Sequence, residues 1–226
     1  MPDAFFLPEL PTLALEVDTA EIIGQVLGSS NLPNPMHKGR LEAFSDGVFA
    51  IIITIMVLEM KAPHGADLAA LREVLPVFLS YVLSFVYVGI YWNNHHHLFQ
   101  AVKHINGAVL WANLHLLFWL SLFPFVTGWL GENHYARLPV LLYGGVLIMA
   151  AVAYFILVRI LLIGHGPETA LAQAIGSDFK GKISVVIYLV GLAAVFASSW
   201  LGIALYATVA LLWLCPDQRI EKTLKD

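Results

Sequence analysis

The chain of 226 residues contains one cysteine, Cys215, and only 12% of its residues are charged. A lone cysteine excludes an internal disulfide and any CxxC redox or metal motif, and it leaves the compartment open. Twelve Lys and Arg residues stand against 16 Asp and Glu, a net charge of -4, and the basic residues are scattered. Without a basic stripe, a nucleic-acid partner is not expected. GxSxG, HExxH and paired catalytic carboxylates are also missing, so the chain does not read as an enzyme and implies no cofactor and no resident metal. The first residues lack the basic start and continuous apolar centre of a signal peptide.

Apolar residues are what the sequence has in excess. They make up 59% of it, with a mean hydropathy of +0.76, too apolar for an ordinary soluble globule. About 20 mainly apolar residues in a helix cross ~30 Å of hydrocarbon. Six windows qualify: Leu41 to Met60, Leu75 into "YWNNHHHLF", Ile105 to Gly131 with a kink expected at Pro124, Leu138 to Gly164, Lys182 to Trp200, and Leu201 to Cys215. Reading Ile183 to Leu214 as one helix would give a rod about half again too long for the bilayer, so a tight hairpin is expected near Ser198 to Gly202. The expected fold is all-α, a polytopic membrane protein with six transmembrane helices. Residues 1–36, mixing prolines, acids and short apolar runs, are expected to be a poorly ordered cytoplasmic leader with one short amphipathic stretch at Leu13 to Leu27. The membrane domain is expected over 37–216 and a short cytoplasmic tail over 217–226.

With six spans, Lys38, Arg40, Lys103, Arg159, Lys180, Lys182, Arg219, Lys222 and Lys225 fall on one side, and Lys61, Arg72 and Arg137 on the other. The positive-inside rule then puts both termini in the cytoplasm. The expected location is the cell membrane, crossed several times.

Ionisable groups at membrane depth are costly unless paired or wet, so those within the spans need an account. Asp46 stands in the early turns of the first span, near Glu42 and six residues past Arg40. Spacing alone reads it as an interfacial carboxylate favoured by the positive end of the helix dipole. The second span ends on Trp92, Asn93, Asn94, His95, His96 and His97. Consecutive helical side chains diverge by about 100°, which is poor chelating geometry, and spacing alone reads this cluster as interfacial. Asp46 and the histidines nevertheless come to similar depth and are expected to share one hydrogen-bonded network. His115, alone in the third span, is expected to make an interhelical hydrogen bond. Along the first span, Val48, Ile51, Ile55 and Leu58 share one stripe with Thr54 beside it, by default a packing surface.

"RLEAFSDGVFAIIITIMVLEMKAP" resembles the first-span signature of the transmembrane protein 175 family, the endosomal and lysosomal potassium channels and their prokaryotic relatives. The matching residues are Arg40, Phe44, Ser45, Asp46, Gly47, Val48, Phe49 and Ala50, followed by an aliphatic run to Glu59. "YWNNHHHLF" resembles the family as well, and the resemblance reaches from Arg40 to about Asp217. One set of six spans is similar to the prokaryotic form.

The resemblance implies a potassium-permeable cation channel, a homotetramer in membrane lipid with the first span of each subunit around a central pore. It implies no re-entrant selectivity loop; "TGWLG" at Thr127 to Gly131 is a poor match for a carbonyl-lined filter. Ile51 corresponds to a constricting hydrophobic ring, Ile55 and Leu58 to the next layers, and Thr54 to a pore-facing polar position. Arg40, Phe44, Ser45 and Asp46 correspond to a network holding the first span, with Trp92 and the His95, His96 and His97 cluster as partners. Which histidine joins it stays open. The rival reading is a proton-coupled secondary transporter of metal cations using the histidines, which would need acids or histidines converging from two spans at mid-membrane.

Overall fold

The structure, a computed structural model, describes residues 38–102, 104–165 and 179–214. The expectations for the leader, Lys103 and the tail with its bases lie outside these residues. The described residues form seven helices: α1 Lys38–Leu58, α2 Leu68–Gln100, α3 Gly107–Ser121, α4 Phe123–Glu132, α5 Arg137–His165, α6 Phe179–Ala194 and α7 Ser199–Leu214. Four segments are long and apolar enough to cross a membrane: α1, α2, α3 with α4, and α5. The fold is therefore all-helical and multi-pass. At 16 residues each, α6 and α7 extend ~24 Å, and each borders a segment outside the described residues.

α2 starts seven residues before the expected Leu75. Asp67 caps it, its carboxylate accepting from Ala70 N at 2.9 Å. Pro76 sits inside the helix. Its carbonyl is used twice, by Ser80 Oγ and by Tyr135 Oη, each at 2.9 Å. The third span breaks at Leu122, where α3 ends and α4 begins with a proline in its first turn. Proline lacks the N–H that the preceding turn would need, and the expected kink becomes a change of helix.

The turn between α4 and α5 uses two left-handed residues, His134 at φ 46° and Tyr135 at φ 60°. Tyr135 N donates to Leu130 O and His134 N to Gly131 O, closing the end of α4. The hairpin of α6 and α7 turns over 195–198, slightly earlier than expected. Ser198 O accepts from Leu201 N and Gly202 N. Gly202 packs so closely on Val195 that any side chain there would collide with it.

The core runs between α2, α3, α4 and α5, with Val88, Leu116, Leu120, Leu130, Leu147 and Leu157 fully buried. A cluster of tyrosines fastens the α6–α7 hairpin to it. Tyr87 Oη donates to Tyr206 O at 2.6 Å, and the ring of Tyr188 lies 6.4 Å from Tyr87 and 6.3 Å from Tyr206. α1 leans on α2, α3 and α4 at the edge of this bundle.

Candidate functional site

α1 buries one narrow stripe, Leu41, Ser45, Phe49, Ile52 and Met56. These residues recur at intervals of three and four, one side of a 3.6-residue helix. The opposite side is uncovered. Ile51 is 58% exposed, Ile55 41% and Leu58 73%, and Thr54 is exposed between them. At 100° per residue, Thr54 and Leu58 point most directly away from the buried stripe and Ile55 lies nearest to it. Ala43, Gly47 and Ala50 continue the exposed side toward Lys38. The Thr54 hydroxyl donates to Ala50 O at 2.9 Å within its own helix, so what it presents outward is an oxygen lone pair.

Two polar links hold the Lys38 end of α1 against its neighbours. In the first, Trp92 Nε1 on α2 donates to Asp46 Oδ1 at 2.9 Å. The Trp92 ring stacks on His96, centroids 5.8 Å apart, and His96 Nε2 lies 2.8 Å from Gln100 Nε2 one turn on. The second link is buried. Asn113 on α3 donates from Nδ2 to Ser45 Oγ at 2.9 Å, Ser45 donates to Leu41 O at 2.9 Å, and Asn113 Oδ1 lies 2.8 Å from His95 Nε2. Because Oδ1 only accepts, the bond geometry assigns the proton to His95 Nε2. His95 is packed edge-on to Phe49 at 5.7 Å and against Phe99 at 4.6 Å.

His95 and Asp46 thus belong to separate links that brace the same helix. His97 is in neither, and its Nδ1 is buried without a hydrogen-bond partner among the described residues. Arg40 and Phe44 are exposed and join neither link among the described residues. His115 accepts from Trp119 Nε1 at 3.0 Å within α3, so its bond is intrahelical and not the interhelical one expected. Asn113 escaped the sequence reading. Its signal was that of a lone amide in the apolar run "GAVLWANLHLLFWLS", a residue that requires a partner at membrane depth.

At the other end of α1, Lys61 Nζ pairs with Glu132 Oε1 at 3.2 Å. Between the ends, Thr127 on α4 donates to Ser84 Oγ at 2.6 Å, and Ser84 Oγ lies 2.9 Å from Tyr143 Oη. These hydroxyls satisfy each other in the core behind α1. Among the described residues, no three His, Cys, Asp or Glu side chains converge.

Residues 40–124 match the family model described as endosomal/lysosomal potassium channel TMEM175. A potassium channel of Chryseobacterium sp. (strain P1-3) is 58% identical over 84% of this chain and 100% of its own length. A potassium channel of Chamaesiphon minutus is 30% identical over 79% of this chain and 94% of its own. The crystal structure of a lysosomal potassium-selective channel TMEM175 homolog from Chamaesiphon minutus superposes with a TM-score of 0.68 at 31% identity, covering 78% of this chain and 96% of that one. These proteins are channels and not enzymes. Both the full-length relatives and the shared arrangement of helices place the chain in the same group: it belongs to the TMEM175 family.

Proposed function

We propose that the chain forms a potassium-permeable cation channel, a homotetramer in the cell membrane with both termini in the cytoplasm and α1 of each subunit around a central pore. Potassium is the permeant ion of this reading because the full-length relatives are named potassium channels. The observation that carries it is the division of α1 into a buried stripe and an opposite uncovered side bearing Ile51, Thr54 and Leu58. An aliphatic surface left open by its own protomer is what a ring of identical helices would use.

In this reading Ile51, Ile55 and Leu58 form hydrophobic rings that block ions by dewetting when narrow and admit them when the helices move apart. Thr54 lies between the rings, and its outward lone pair suits a partly dehydrated cation. No re-entrant selectivity loop takes part. The links through Asp46 and Ser45 set the position of α1 and do not bind the ion, with Arg40, Phe44, Trp92 and the histidine cluster around them as the supporting network.

The histidines give less support to a metal-cation exchanger. His95 is committed to Asn113 between two phenyl rings, and His96 stacks on Trp92. Current recordings from reconstituted liposomes test the channel reading. Ile51→Asn should raise conductance or loosen selectivity, whereas Asp46→Asn should disturb assembly or gating with the open-pore selectivity kept. A potassium flux that needs a counter-gradient, or an Ile51→Asn protein identical to wild type in both measures, overturns it.

A further inference from the structure

α1 stops at Leu58 with no basic residue in its last turn, so nothing on the helix offsets the negative end of its dipole there. Glu59 follows at once, and its N–H donates to Ile55 O at 3.0 Å, which fixes it to the end of the helix. Its side chain is exposed and forms no ion pair among the described residues. Two residues on, Lys61 is exposed as well, but its Nζ pairs with Glu132 Oε1 at 3.2 Å.

That pair has a direction. α4 lies against the buried stripe of α1, where Thr127 Oγ1 comes within 3.9 Å of Met56 Sδ, and Glu132 is the last residue of α4. Lys61 is therefore drawn to the side of α1 that faces its own protomer, away from the uncovered side bearing Ile51, Thr54 and Leu58. The other acids and bases at this end balance, Asp67 and Glu73 against Arg72 and Arg137. Glu59 is left over, beside a lysine whose charge Glu132 offsets.

Resting on the channel reading, in which this end of α1 surrounds the outer mouth of the pore, we propose that Glu59 sets the potassium concentration at that mouth and that Glu132 supports it by neutralising Lys61. Unbalanced carboxylates and helix carboxyl ends from every subunit draw cations together before they reach the Leu58 ring. The carboxylates need not touch the ion. At about 10 mM salt their field reaches about 30 Å, and at about 1 M only about 3 Å, so the effect belongs to dilute solutions. An exposed ion pair holds helices together weakly, and the role of Lys61 with Glu132 is charge balance.

Outside-out patches bathed in potassium at about 10 mM and at about 1 M test this. Glu59→Gln should lower inward current about threefold in the dilute bath and leave it unchanged in the concentrated one. Glu132→Gln should act in the same direction, because it leaves Lys61 unbalanced, and Lys61→Gln should raise inward current. These last two variants break the same ion pair, so a purely structural role would move both alike. Combining Lys61→Gln with Glu132→Gln restores the charge balance and should return the current to wild type. Wild-type current from Glu59→Gln in the dilute bath, parallel changes in Lys61→Gln and Glu132→Gln, or an effect that persists in the concentrated bath would overturn the proposal and leave the channel reading standing. Wild-type patches that pass no potassium current would overturn both.

Discussion

The amide nitrogen of Asn113 stands 2.9 Å from the hydroxyl of Ser45, joining α3 to α1 across a buried contact. Both residues are almost fully enclosed, at 2% and 0% exposure, and water cannot replace either partner. Asn113→Leu keeps the volume and removes both of its bonds, leaving His95 Nε2 without an acceptor. The expected cost is about 1–2 kcal/mol, near the upper end for interhelical bonds in membranes because a polar group is orphaned. Unfolding midpoints in detergent check it, and Ser45→Ala should cost less.

Trp92 and Asp46 are both exposed, so their bond should add under about 1 kcal/mol to stability. Its expected effect is on the position of α1. Trp92→Phe and Asp46→Asn should each shift open probability in single-channel recordings, and the double variant should shift it no further than the larger single change. Additive shifts would show that the two residues act separately.

Thr54→Val removes one oxygen and keeps the β-branched shape. Conductance should fall and the preference for potassium over sodium should change, while the thermal midpoint stays within about 0.5 kcal/mol of wild type because the side chain is exposed. Bi-ionic reversal potentials check the selectivity.

Tyr206 Oη is buried without a hydrogen-bond partner among the described residues and presses on Gly144. Tyr206→Phe should be neutral or stabilising, since it removes an unsatisfied group. Tyr87→Phe, which deletes the bond to Tyr206 O, should cost about 1 kcal/mol, and Gly144→Ala more than either because the methyl overlaps the Tyr206 ring. Thermal unfolding of the three variants should follow that order.

The helices were legible where length and hydropathy decide them. α1 and α5 lie within a few residues of their expected bounds because long apolar runs have no other state in a bilayer. The start of α2 lies seven residues before the expected Leu75 because Asp67 caps the helix there and Pro76 is carried inside it. The uncovered side of α1 could be listed from periodicity, but which side faces its own protomer could not, since Ile52 and Ile51 are chemically alike. Asn113 was missed for a related reason. One amide has no pattern, and its meaning comes from Ser45 and His95 on other helices.

α2 is 33 residues long, ~50 Å of continuous rod, well beyond the ~30 Å of hydrocarbon it crosses. Gly131 lets α4 approach so closely that a β-carbon there would come within 2.5 Å of Val77 Cα. That contact lies about 14 Å along α2 from Leu68 and about 22 Å from Trp92. Farther along, Ser84 and Tyr87 are bonded to α4, α5 and α7, so the long rod is clamped at several levels before it reaches Trp92.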